Sequence, residues 1–225
     1  GNGNLLSNLT KLNVVYNFRK NDIDGGGQGA PLATIFHKLI QKKNNAKLPI
    51  VFVNIGGISN ISYVGINKEI KSFDTGPGNC LIDKFLQIKT KNKMQFDENG
   101  DIAFKGKVDE VILENYFNDP FFETTPPKSL DVNDFSLGQV RGLSLENAVS
   151  TLSDFTARSI VDSFNFLPEK PVRIILMGGG RKNKYFLKRI NSLSKIKTEC
   201  VEVLNFNGDF VESQAFAYLA VKCFL

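Results

Sequence analysis

One carboxylate and three small or φ-restricted residues stand together in Asp74-Thr75-Gly76-Pro77-Gly78, at the end of an apolar strand pattern. Gly76 and Gly78 let a backbone approach a ligand closely, and Pro77 fixes the turn between them. Asn79 takes the N-cap position of a helix predicted from Cys80 onward. A carboxylate at a strand end, beside a free helix N-terminus, suits a polar or anionic substrate. Asp-Thr-Gly is equally an ordinary strand-to-turn signal, so the segment alone leaves both readings open. Two further strand-to-glycine junctions shift the balance: Asn54-Ile55-Gly56-Gly57 and Met177-Gly178-Gly179-Gly180. A glycine hairpin between strands can present N–H groups to a phosphate. A glycine triplet before a helix lets an adenine or ribose lie against the backbone. None of the three has the Gly-x-Gly-x-x-Gly or Walker spacing, and each by itself is also a plain tight turn. Together, in this strand order, they favour a nucleotide cleft between two domains.

The elements that must position these junctions follow from hydrophobic spacing. Residues 1–12 read as a loop and a short helix, and residues 13–19 as a strand. Pro31 suits the first turn of a helix running through Phe36 and Ile40. Residues 41–47 form an exposed linker. From Pro49 a second unit begins: a near-continuous apolar run at 50–55, as in a buried strand, its partner at 58–64, and a third strand at 69–73. A helix follows Asn79, then a mixed polar stretch over 94–146. Helix 148–166, strand 172–177, helix 183–193, strand 199–204 and helix 211–224 complete the order. Three strands, helices, strand, helix, strand, helix predict an α/β fold. It is a ribonuclease-H-like mixed sheet with flanking helices, the architecture of one half of the actin, hexokinase and Hsp70 superfamily.

Composition narrows the function classes. The 225 residues carry a net charge of +5, mostly as lysine spread along the chain. That pattern is a lysine-coated surface rather than a nucleic-acid reader, which concentrates arginine and aromatic residues on one face. No apolar run reaches the about 18 residues of a membrane span. Cys80, Cys200 and Cys223 are odd in number and far apart, which argues against zinc or a disulfide framework and for a reducing cytoplasm. His37, the only histidine, reads as a structural ring within a helix.

Specific segments carry a resemblance. They include Phe18-Arg19 with Asp22, Gly26-Gly27-Gln28-Gly29-Ala30-Pro31-Leu32, Phe36-His37, Asn54 through Asn60, Phe73 through Asn79, Pro127-Lys128-Ser129, Gly178-Gly179-Gly180 with Asn183, and Glu212 with the helix after it. In this order they resemble the anhydro-N-acetylmuramic acid kinase family of bacterial cell-wall recycling. The resemblance implies ATP with Mg²⁺ and a cytoplasmic sugar kinase. The enzyme would open a 1,6-anhydro ring while phosphorylating the sugar's 6-oxygen. It implies Asp74 as the base that deprotonates the attacking water. It implies Asp22, Gln28, Gly29, Asn60, Gly76, Asn79 and Glu212 on the sugar side. Gly56, Gly57, Ser59, Gly178, Gly179, Gly180 and Asn183 fall on the ATP side. Glu212 is also favourable simply as an acid in a helix's first turn. Metal ligands are not assigned.

The family's first domain, with its Gly-Thr-Ser-x-Asp-Gly loop and Ser-His-Gly-Gln segment, has no counterpart here, nor has its Thr-Gly-Ala tail. Asn17, Asp24 and Leu130-Asp131-Val132 also depart from the family pattern. Residues 1–48 are therefore expected to be a remnant of the first domain with the crossing helix, and residues 49–225 the second domain. Two expectations follow. Either the chain is the C-terminal part of a working kinase whose first domain is supplied in trans by a second polypeptide or has been cut away, with a homodimer as a further partner, or it is a non-catalytic remnant of a split gene. By itself it is expected to be inactive.

Overall fold

A computed structural model of the chain describes residues 2–26, 29 and 32–223. β1 (Ile50–Ile55) and β2 (Ile58–Val64) pair antiparallel around Gly56-Gly57, and β3 (Ile70–Pro77) adds antiparallel to β2. β4 (Arg173–Met177) lies parallel to β1, and β5 (Thr198–Cys200) parallel to β4. The order β3-β2-β1-β4-β5 is the ribonuclease-H-like mixed sheet that the strand sequence predicts. Helices α1 (Gly3–Thr10), α2 (Phe18–Asp24) and α3 (Thr34–Lys43) precede the sheet. α4 (Cys80–Lys89), α5 (Glu110–Phe117) and α6 (Leu145–Asp162) follow β3. α7 (Lys184–Ser194) joins β4 to β5, and α8 (Val211–Lys222) comes last.

Period-two alternation sends the strand side chains to two cores. Val51, Val53, Ile55 and Leu176 pack with residues of α4, α6 and α7, including Phe155 and Phe186. Ile50, Phe52, Ile175 and Met177 pack with Phe36 and Ile40 of α3 and Ala215 of α8. The excursion between α4 and α6 is held down by aromatic rings. Tyr116, Phe117, Phe122 and Phe135 all contact Phe155 of α6. Asp154, fully buried on α6, accepts from Arg158 at 2.7 Å and from Arg189 of α7. Two cations on one buried carboxylate fix α6 against α7.

Four expectations need correction. Residues 13–19 form no strand: Asn17 turns the chain at φ 64°, and α2 starts at Phe18, whose ring packs on Phe216. That packing outweighs a short alternation. The third strand does not stop at Phe73 but runs to Pro77; β3 is a sheet edge, where glycine and proline are tolerated. After Cys200 the chain leaves β5 for a 3₁₀ turn, Val201–Leu204, which buries Val201 and Leu204 in the α3–α8 core. The helix expected from Pro31 begins at Thr34, and Pro31 itself lies outside the described residues.

Asp83 in the first turn of α4 faces a second carboxylate, Asp97, which accepts the N–H groups of Ile102 and Ala103 at 2.9 and 3.1 Å. Burial, then the charge of Asp97, raises the Asp83 pKa to about 6. An unfolded aspartate titrates near about 3.9, so the folded state holds this proton more tightly. The resulting stabilisation is present below about pH 4 and is lost as pH rises through about 6. Asp83→Asn should therefore be more stable than the parent at pH 7.5, by about 1 kcal/mol after allowance for partial exposure. The difference should vanish near pH 4. Urea unfolding at the two pH values checks it.

Candidate functional site

Four residues stand in register across the sheet. Asn54 on β1 is opposite Met177 on β4 and Asn60 on β2, and Asn60 is opposite Asp74 on β3. All four line one cavity of about 780 Å³. It opens at the carboxyl ends of the parallel strands β1 and β4, where α/β sheets generally receive ligands. The alternation that sends Phe52 and Ile175 into the α3–α8 core puts Asn54 and Met177 on the same face. On β3 the register shifts between Ser59 and Asn60, leaving Thr75 as the extra residue. This bulge brings Asp74 opposite Asn60, and such shifts commonly re-aim a side chain. The Thr75 hydroxyl bonds Ser59 Oγ at 2.9 Å within the sheet.

Asp74 is 8% exposed. Its Oδ2 accepts the Leu130 N–H at 2.9 Å, and its own N–H donates to the Lys128 carbonyl at 3.1 Å. Burial raises its pKa above the ordinary carboxylate value; the Leu130 hydrogen bond and the Arg19 charge oppose that rise. Arg19 and Lys20 of α2 line the same cavity, as does Glu212 in the first turn of α8. Gly29 lines it too, at φ +73°, with its N–H given to Asp22 Oδ2 at 2.7 Å. Asp22 therefore holds the Gly29 N–H and does not itself line the cavity. Gln28 lies outside the described residues. His37 is a cavity-lining ring stacked on Phe52, and burial lowers its pKa to about 3. It is a neutral packed imidazole, as its sequence position suggests.

The glycine turn after β4 is the other wall. Gly178 and Gly179 line the cavity. A methyl on Gly178 would meet Ile55 O at 2.7 Å and Asn54 Oδ1 at 2.6 Å, and Gly180 is pressed against the Ile55 side chain. Gly179 differs: a methyl there meets nothing within 4 Å. Arg181, only 6% exposed, also lines the cavity and holds the turn by donating to the Gly178 carbonyl at 2.9 Å. Its remaining donors reach Glu202 at 2.8 Å and Asp209 at 2.9 Å. Asn54, Met177 and Arg181 were not among the sequence-derived site residues. The signal for the first was an amide interrupting an apolar strand. For the last it was a cation directly after a glycine triplet.

The other sequence-derived residues lie elsewhere. The helix N-terminus after Asn79 is not free. The N–H groups of Gly78, Asn79 and Cys80 go to the Gly57 and Gly56 carbonyls at 2.8–3.2 Å. The Asn79 side chain does not cap α4 but donates to the Gly56 carbonyl at 3.0 Å. Gly76, at φ +156°, packs against Ser159 of α6, away from the cavity. Ser59 is fully buried in the sheet. Asn183 caps α7 by accepting the Tyr185 N–H at 2.9 Å. Gly57 is exposed and Gly56 half-buried, and neither lines the cavity. Among the described residues no three His, Cys, Asp or Glu side chains converge to hold a metal ion. A Mg²⁺ here would take most of its oxygens from phosphates and water, which is its usual habit.

The family model for anhydro-N-acetylmuramic acid kinase matches residues 1–225. The kinase of that name from Pelagibacter ubique is 48% identical over 99% of this chain and 61% of its own length. The one from Zymomonas mobilis is 40% identical over 99% and 60%. The chain thus spans about three fifths of the length of the curated relatives it matches. Among solved structures, a xylulose kinase from Lactobacillus acidophilus is 14% identical with a TM-score of 0.47, over 80% of this chain and 41% of that one. No helix among the described residues is long and apolar enough to cross a membrane.

The glycine wall makes a direct prediction. Gly178→Ala must strain a positive-φ residue and push into Ile55, and should cost at least about 2 kcal/mol of stability. Gly179→Ala should stay within about 0.5 kcal/mol. Thermal unfolding of the two variants checks the contrast.

Proposed function

The chain belongs to the anhydro-N-acetylmuramic acid kinase family, and on that premise we propose that it carries the catalytic base and the nucleotide wall of such a kinase. The reaction proposed is ATP-dependent phosphorylation of 1,6-anhydro-N-acetylmuramic acid with hydrolytic opening of the anhydro ring, giving N-acetylmuramic acid 6-phosphate. The observation that carries it is the Asn54–Asn60–Asp74 row. One buried carboxylate stands at the end of a polar file, across the cavity from an open glycine turn.

In this reading a water attacks the anomeric carbon and gives its proton to Asp74. The bond from that carbon to O6 breaks. O6 takes the γ-phosphoryl group as its bond to ADP breaks. Burial suits Asp74 to this task, because a base with a raised pKa accepts a proton more readily near neutral pH. Asn60 and Asn54 offer amides to sugar hydroxyls, and Glu212 and Gly29, held by Asp22, close the sugar side. Gly178 and Gly179 let a nucleotide lie close to the backbone, and Arg181 keeps that turn in place. Positioning of this kind is most of what phosphoryl transfer asks of a protein, with Mg²⁺ neutralising charge on the phosphates. We assign residues 49–225 to the ribonuclease-H-like domain and residues 1–48 to the segment that joins it to the family's first domain, α3 being the crossing helix. The activity is proposed for the full family architecture, of which this chain spans the matched share.

Asp74→Asn keeps the size and the acceptor for Leu130 N–H while removing the base. Turnover should fall by about 10²–10⁴-fold. Because the Asp74 pKa is raised, parental activity should fall as pH drops through that value. Stability of the variant at neutral pH should not decrease, since a raised carboxylate pKa is destabilising once ionised. The assay is labelled-phosphate transfer from ATP to the anhydro sugar. It is run on the chain alone, and with the part of a curated relative that lies outside the match. Near-parental turnover in Asp74→Asn would remove Asp74 as the base.

A further inference from the structure

Pro127-Lys128-Ser129 is a motif of the sequence to which nothing so far gives a task. Residues 128–130 run along the free edge of β3 and make two backbone contacts, both with Asp74: the Lys128 carbonyl takes its N–H, and the Leu130 N–H reaches its carboxylate. The Lys128 side chain points the other way. It is 7% exposed, its ammonium donates to the Phe121 carbonyl at 2.9 Å, and it lies 4.3 Å and 4.6 Å from the ring centres of Phe121 and Phe166. No carboxylate lies within ion-pair distance of it among the described residues. Ser129, between the two contacts, is exposed.

A buried lysine without a carboxylate is a costly choice for a merely structural position. Its two ring faces and one carbonyl form a cation socket, in which a desolvated ammonium is attracted to the negative faces of the rings. Phe166 belongs to the 3₁₀ turn that ends α6, and Phe121 to the turn after α5. The socket therefore ties the strap to two elements of the larger core.

We propose that Lys128 is a positioning residue for Asp74: its ammonium, seated between Phe121 and Phe166, pins the 128–130 strap so that the Leu130 N–H holds the Asp74 carboxylate toward the cleft. The inference deepens the reading of Asp74 as the base, and its catalytic meaning rests on that reading. Released from its socket, the strap withdraws its donor and leaves the carboxylate buried, so Asp74 becomes harder to ionise. The other charged and titratable groups around the same cavity are Arg19 and Lys20 on α2, His37 on α3, Arg181, Asp209, and Glu212 on α8. None of them lies on the strap. Asp162, which borders the second cavity beside Lys128, is on the far side of β3.

The test is an NMR titration of the full chain without ligands, with the Asp74 carboxyl carbon assigned by its loss in Asp74→Asn. In the parent, the Leu130 amide shift should follow the Asp74 titration. In Lys128→Met the Asp74 midpoint should move up by about one pH unit, and the Leu130 amide should cease to follow it. Lys128→Arg, which keeps a cation for the rings, should restore part of both. If Lys128→Met does not fold, Phe166→Leu, which removes one ring of the socket, should produce the same two changes in smaller measure. A folded Lys128→Met or Phe166→Leu protein with the parental midpoint and a Leu130 amide still coupled to Asp74 would overturn the proposal. These readouts involve no turnover. Failure of Asp74 as the base would appear in the transfer assay alone, and failure of the strap in the titration alone.

Discussion

The constraint on which the rest of the structure depends is the need to satisfy three consecutive carbonyls at the end of β1. Ile55 is the last residue of β1, and Gly56 and Gly57 form the hairpin beyond it, where carbonyl oxygens run out of strand partners. An acceptor of this kind that is shut off from water costs about 1–3 kcal/mol if left alone. The turn after β3 supplies the donors: the N–H groups of Gly78, Asn79 and Cys80, and the Asn79 amide. The turn after β4 presses on the same point from the other side, with Gly178 and Gly180 seated directly against Ile55. Three glycine-bearing segments, distant in sequence, are thus one joint.

That joint changes what the glycines do. Read one by one, each junction offers backbone to a ligand. In the folded chain the first two serve mainly each other: hairpin carbonyls take the N–H groups that a helix N-terminus would otherwise present to an anion. Gly178 and Gly180 are small because Ile55 is close. Gly179 alone is small with open space beside it, and it faces the cavity. The division between fold-making and cavity-facing glycines is set by which neighbour a Cβ would strike, and local spacing carries no record of that.

The same distinction explains how far the sequence could be read. β1 and β2 were legible to the residue because an apolar run and a glycine pair mark them locally, and the strand order followed from the helices between. The segment at 13–19 was misread because its alternation is short and α2 answers to a contact with Phe216 on the last helix. Asp74, Asn60 and Glu212 were named together through the family resemblance, and all three line one cavity. Their alignment was not legible, because it depends on a bulge at Ser59–Asn60 and on cross-strand register. Asn54 joins them only through that register. The strap was visible as a motif without a role, since its partners Phe121 and Phe166 are separated from one another by α6.

Two buried cations show how the chain spends charge around the cleft. Arg181 is matched by Glu202, Asp209 and a carbonyl, so each nitrogen of its fork has an acceptor, and the two carboxylates keep it ionised against the effect of burial. Lys128 meets only a carbonyl and two rings, and burial lowers its pKa. The chemistry of each side chain fits its setting: arginine is suited to several fixed acceptors, and lysine is a compact charge that a ring face can accommodate. Neither needs to touch a ligand to matter. Arg181 holds the Gly178 carbonyl, and Lys128 sits on the strap whose backbone meets Asp74. In both cases a cation is attached to a short segment outside the sheet, the 3₁₀ turn after β4 and the strap beside β3. Those two segments carry the backbone groups nearest the open glycine and the buried carboxylate.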